Sequence, residues 1–105
     1  MSYKWPDKDK DEVLDYSVDW SRFLGDDNIS GVTWFINDAS GIKTEVDAAD
    51  VVNGLQMVQK TNTLNVATVR LSLGINNVRY TITCKVTSVE GLQYERSIFV
   101  RVKEK

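Results

Sequence analysis

Four aspartates and one cysteine are the side chains here whose types and spacing invite chemistry. Asp15 and Asp19 stand close together, and Asp26-Asp27 follow shortly after. Clustered carboxylates are hard oxygen ligands suited to Ca²⁺, and a carboxylate pair astride a sugar can hydrolyse a glycoside. The spacing is not that of an EF-hand loop, and nothing in 105 residues marks the cleft a glycosidase needs. These aspartates read instead as turn or helix-cap residues around Trp20-Ser21-Arg22-Phe23-Leu24-Gly25. Cys84 becomes a nucleophile only where a base activates it. The sequence contains no histidine, which removes the commonest general base and the commonest transition-metal ligand. Cys84 also falls on the apolar phase of its segment, as a small core filler. The sequence therefore predicts no catalytic residue, no metal and no cofactor, and a protein that is not an enzyme.

The elements that position these residues follow a period of two. In Leu14-Asp15-Tyr16-Ser17-Val18-Asp19-Trp20 the large side chains take even positions and the small polar ones odd positions. A strand sends alternate side chains to opposite faces, so this is a half-buried strand. Val32-Thr33-Trp34-Phe35-Ile36 repeats the pattern with Val32, Trp34 and Ile36 inward, and Asn37 to Gly41 supplies a turn. A weaker strand runs from about Ile42 to Val46. Asp47 to Gly54 fits a helical turn or a loop, and Leu55 to Lys60 a short strand. Ala67 to Leu73 alternates until Gly74 stops it. Tyr80 to Thr87 is the clearest strand, with Tyr80, Ile82, Cys84 and Val86 on one side. A Ser88-Val89-Glu90-Gly91 turn returns the chain as a last strand, Gln93 to Lys103, whose core face carries Ile98, Val100 and Val102. About seven strands, each apolar on one face, with no amphipathic helix between them, predict an all-β antiparallel sandwich. Tyr16, Trp20, Trp34, Tyr80 and Cys84 are its expected core anchors.

Charge and composition bound the partners. The formal net charge is −2, which argues against a broad phosphate-tracking surface and so against nucleic acid. No apolar run approaches the roughly 20 residues that span a bilayer, so no membrane is expected. The charged start of the chain lacks the apolar segment of a secretory signal. A single cysteine forms no internal disulfide, as befits folding in a reducing cytoplasm. Residues 1–12 form an alternating-charge arm and residues 13–105 the sandwich. The arm is either a solvated tail or a segment that orders on a partner, and Tyr3 and Trp5 favour the second. Phe35 and Phe99 fall on the polar phase of their strands. Ile75 and Val78 bound a loop that either docks on a partner or folds back over the sandwich end. Tyr3, Trp5, Phe35, Ile75, Val78 and Phe99 are thus the candidate interface residues.

Two resemblances sharpen this reading. Leu71-Ser72-Leu73-Gly74 followed by Tyr80-Thr81-Ile82-Thr83 is similar to the late strands of immunoglobulin-like and fibronectin type III domains, in which the tyrosine hydroxyl stitches a loop to its strand as a tyrosine corner. The run from Asp11 to Ile29, DEVLDYSVDWSRFLGDDNI, resembles the opening of small tailed-bacteriophage virion proteins of the fibre-tail adaptor type. Val69-Arg70-Leu71-Ser72-Leu73-Gly74, Tyr80-Thr81-Ile82-Thr83 and Arg96-Ser97-Ile98-Phe99-Val100-Arg101-Val102 continue the match over roughly residues 9 to 103. The Asp47 to Thr63 segment is longer than that pattern, and Leu73-Gly74-Ile75-Asn76-Asn77 replaces its Gly-Gly turn. The resemblance implies an immunoglobulin-like fold and a structural protein of the virion tail, made in the host cytoplasm. It implies packing against other tail or fibre proteins in several symmetric copies. The alternative is a carbohydrate- or cell-surface-binding module using Gln93, Tyr94 and Asn76-Asn77.

Overall fold

A computed structural model of the chain describes residues 3–37 and 40–103. Nine strands and one helical turn follow in the order β1 (Tyr3–Lys4), β2 (Leu14–Asp19), α1 (Ser21–Leu24), β3 (Ile29–Asn37), β4 (Lys43–Val46), β5 (Val51–Val52), β6 (Leu55–Asn62), β7 (Val66–Leu73), β8 (Arg79–Ser88) and β9 (Gln93–Arg101). They form a five-stranded sheet, β1-β9-β8-β3-β4, and a four-stranded sheet, β2-β7-β6-β5. Among the named strands every pairing is antiparallel except β1 with β9, and an isolated bridge between Lys8 and Val102 is also parallel. This is an immunoglobulin-like order: β2-β7-β6 correspond to strands B-E-D, and β3, β8 and β9 to C, F and G.

Alternation builds the interior. Tyr16 and Val18 of β2 and Val69 and Leu71 of β7 face Trp34, Ile36, Ile82, Cys84 and Val100 of the other sheet, and all are buried. The five expected anchors, Tyr16, Trp20, Trp34, Tyr80 and Cys84, lie in this cluster. Trp20 reaches it from the turn that follows β2, not from the strand, because β2 ends at Asp19 and Asp19 Oδ1 accepts the Ser21 N–H at 2.9 Å. The Asp47 to Gly54 stretch is a turn-rich connection carrying the two-residue β5, with Ala49 and Asn53 at positive φ. Of the turn expected between β3 and β4, Asp38 and Ala39 lie outside the described residues.

The tyrosine corner is present. The Tyr80 hydroxyl accepts the Ile75 N–H at 2.9 Å and donates to the Asn53 carbonyl at 2.7 Å. One side chain thus ties the β7–β8 loop and the β5–β6 turn to the start of β8. Gly54 is required there: its φ is +82°, and a Cβ would come within 2.9 Å of Ile75 Cγ1.

The charged opening segment is part of the sheet. Trp5 and Lys8 donate their N–H groups to the carbonyls of Phe99 and Arg101, and Lys103 returns one to Lys8. Lys8 is buried, its ammonium donating to the carbonyls of Leu73 (2.7 Å) and Asp9 (2.8 Å). Desolvation lowers its pKa, against the opposing pull of Glu12, Asp9 and Asp11. A solvated tail is therefore the wrong description of residues 3–9. Two backbone carbonyls solvate this buried ammonium.

Candidate functional site

The one cysteine is buried and inert. Burial pushes the Cys84 thiol up to about 12, only partly offset by the Trp20 indole and the Arg96 charge, so no thiolate forms near neutral pH. No group of three or more metal-ligating side chains gathers among the described residues. Asp27 works as a turn residue: its Oδ1 accepts the N–H groups of Asn28 (2.8 Å) and Glu90 (3.3 Å). The Ser88 hydroxyl and these amides hold its carboxyl below the usual carboxylate range. Asp15 instead pairs with Arg70 across the outer face of the four-stranded sheet at 2.8 Å. What the molecule offers is surface.

Phe35 and Phe99 share the outer face of the five-stranded sheet. Phe35 is opposite Thr83 and Phe99 opposite Thr81, so the two aromatics lie in adjacent rows on either side of β8. Neither ring is bare. The Lys43 ammonium stands 4.7 Å from the Phe35 centroid while paired with Glu95, and the Arg79 guanidinium 4.5 Å from that of Phe99. Between them Thr83 is buried and shares a 3.0 Å hydrogen bond with Ser97. The strip is a half-covered apolar band under exposed cationic side chains, whose contacts with the rings are worth only about 0.5–1 kcal/mol each at a surface.

Of the other sequence-predicted interface residues, Trp5 and Val78 pack against the core. Trp5 stacks on Tyr16 (centroids 4.8 Å apart, planes 25°), tilts against Trp34 and donates its indole N–H to the Ser17 carbonyl at 3.3 Å. It closes one side of the sandwich by joining the β9 edge to β2, so it is not an arm reaching for a neighbour. The backbone of Tyr3 pairs opposite Ile98; its side chain lies outside the described residues. Val78 packs on the core, and its carbonyl accepts the Val102 N–H. Ile75, 47% exposed, leans on Gly54. The loop folds back over the sandwich end.

Sequence reasoning missed a second surface, at the seam where β2 and β9 face each other. Arg96 stacks on Trp20 (5.2 Å) and Phe23 (4.9 Å), and Tyr94 lies against both rings. A groove of about 200 Å³ between Trp5, Ser17, Ile98 and Arg96 opens past Asp19 into a depression of about 450 Å³ beside Arg22 and Phe23. The clue was in the phase of β9. Arg96 sits on the same side as Ile98 and Val100, where a charge has no place in a closed core.

The residues considered for carbohydrate do not converge. Asn76 and Asn77 precede β8, whereas Gln93 pairs with Thr87 near its far end. A strand of that length separates them by roughly 25–30 Å, and the Tyr94 ring is engaged in the Trp20–Phe23 cluster.

No curated protein matches the chain. Among solved structures, it is similar to one described as the solution structure of the PKD domain from KIAA 1837 protein, with 26% identity, 96% of this chain and 83% of that chain covered, and a TM-score of 0.48. A family model described as "Podophage GP4 fiber-tail adaptor protein gp77" matches residues 8–101. With nearly its whole length matched, this chain belongs to the podophage fibre-tail adaptor family, as a structural, non-catalytic protein of the virion tail that works by contact with other tail and fibre proteins.

Proposed function

We propose that the sandwich is a rigid spacer, repeated in several symmetric copies around the tail, that packs on its neighbours through the outer face of its five-stranded sheet. The observation that carries this is the Phe35–Phe99 band, two half-buried aromatics on an otherwise Thr- and charge-rich face. Aromatics are enriched at the centres of protein interfaces. The lids over them are Lys and Arg side chains, which can swing aside and re-pair with a partner's carboxylates at the rim. The closed core and the clipped N-terminal segment suit a part that docks without refolding.

Co-purification tests the reading. The chain, co-expressed with the neighbouring tail and fibre proteins, is expected to enter a complex of defined stoichiometry. Phe35→Ser with Phe99→Ser is expected to leave the monomer folded and to weaken that complex. A doubly substituted chain that assembles like the parent would remove this face from the interface.

A further inference from the structure

We propose that the groove between β2 and β9 receives an extended, carboxylate-bearing segment of a partner protein. The inference rests on the adaptor reading only in requiring that a partner chain exists.

Two strand edges form the lips. β2 is the edge of the four-stranded sheet, and β1 begins opposite Ile98, so the groove runs along β9 ahead of that point. The trough is bounded by two strand edges, which suits an extended chain better than a compact ligand. Its charge is opposite to that of the protein as a whole. Arg22 lines the wider end, Arg96 both ends, and Lys4, itself paired with Asp7 at 3.6 Å, the narrower one, in a chain of net charge −2. The carboxylate among them, Asp19, has one oxygen engaged by the Ser21 amide.

Arg96 is already positioned. Its guanidinium lies between 4.9 and 5.2 Å from two aromatic rings, so it presents a fixed positive charge at the groove wall, with Arg22 beside it to meet a carboxylate. Phe23, 48% exposed, adds an apolar wall for an alternate side chain of the same segment. The Trp5 indole occupies the Ser17 carbonyl and so blocks strand addition onto that part of β2. The segment is therefore held mainly through its side chains, by charge and by Phe23.

An amide NMR titration of the isotope-labelled full chain tests this. The probe is a capped hexapeptide of alternating Glu and Val, and the control is its Lys-Val counterpart. The Glu-Val peptide is expected to shift the amides of Phe23, Glu95 and Arg96 and the indole resonances of Trp5 and Trp20, with saturation that weakens as salt is added. Arg22→Glu, a change on an exposed turn, is expected to weaken binding about tenfold or more while leaving the melting temperature unchanged. Absence of shifts at millimolar peptide, equal binding of the Lys-Val peptide, or an Arg22→Glu chain that binds like the parent would each overturn the proposal. If the peptide fails while the chain still co-purifies with its tail partners, the groove assignment alone is wrong. Failure to co-purify would strike at the adaptor reading itself.

Discussion

Replacing Tyr80 by Phe removes one oxygen and nothing else. That oxygen accepts the Ile75 N–H at 2.9 Å and donates to the Asn53 carbonyl at 2.7 Å, from a residue only 1% exposed. The ring stays, so the packing of β8 against the core is retained. The loss is two hydrogen bonds and two backbone groups left without their partner. An orphaned buried group costs about 1–3 kcal/mol. Both groups lie in loops at the sandwich end, where water can reach part of the vacated space, so each belongs near the low end, about 2–3 kcal/mol for the pair. For a domain of this size that lowers the melting temperature by roughly 10–20 °C. Thermal and urea unfolding followed by far-UV circular dichroism read it directly, with an unchanged urea m-value showing that the folded state kept its compactness. A shift of about 2 °C or less would mean that the hydroxyl stitches nothing together, and the account of the loop end would fall.

Trp34→Ala, deleting a fully buried indole between the sheets, is expected to cost about 3–5 kcal/mol and to leave little folded protein at 37 °C; a chain that melts like the parent would remove Trp34 from the core. Gly74→Ala places a Cβ 2.6 Å from Val102 Cγ2 at a φ of +111°, and should lower stability by about 1–3 kcal/mol in the same unfolding assay, whereas Gly41→Ala, with open space around it and φ +82°, should cost less. Stability should also fall in alkali. Burial raises Cys84 from 9.0 and Tyr16 from 10.0 to about 12, so the folded chain holds protons that the unfolded chain releases. Their contribution is complete below pH 9 to 10 and disappears as pH rises towards 12. Burial raises Tyr80 above 10.0 as well. Lys8 acts in the opposite sense, since its pKa is lowered from 10.5, but it is one group against three; melting temperatures that stay level or rise from pH 9 to 12 would contradict this.

The strands were legible because each sheet buries one face. Val32-Trp34-Ile36 and Tyr80-Ile82-Cys84-Val86 write that burial into every second residue. β1 and β5 were not legible, since two residues are too few to show a period. The opening segment misled for a physical reason. Its alternating charges read as solvated, and one of the two carbonyls that solvate Lys8 belongs to Leu73, 65 positions away. Trp5 misled likewise, because an aromatic at a chain end can serve a partner or its own core, and only the facing Tyr16 and Trp34 decide between them. Phe35 and Phe99 could be placed on the outer face by phase, but their cationic covers come from neighbouring strands whose register the sequence does not state. Arg96 was visible as a charge on the apolar phase of β9. Its meaning depended on knowing that β2 and β9 leave a seam open there.

The most direct test is a cryo-EM reconstruction of the intact phage tail. The account predicts nine-stranded density with this topology between the tail and its fibres, in symmetric copies, the Phe35–Phe99 face lying against a neighbouring protein. A tail that lacks the chain, or one in which both that face and the β2–β9 seam are bathed in solvent, would contradict it.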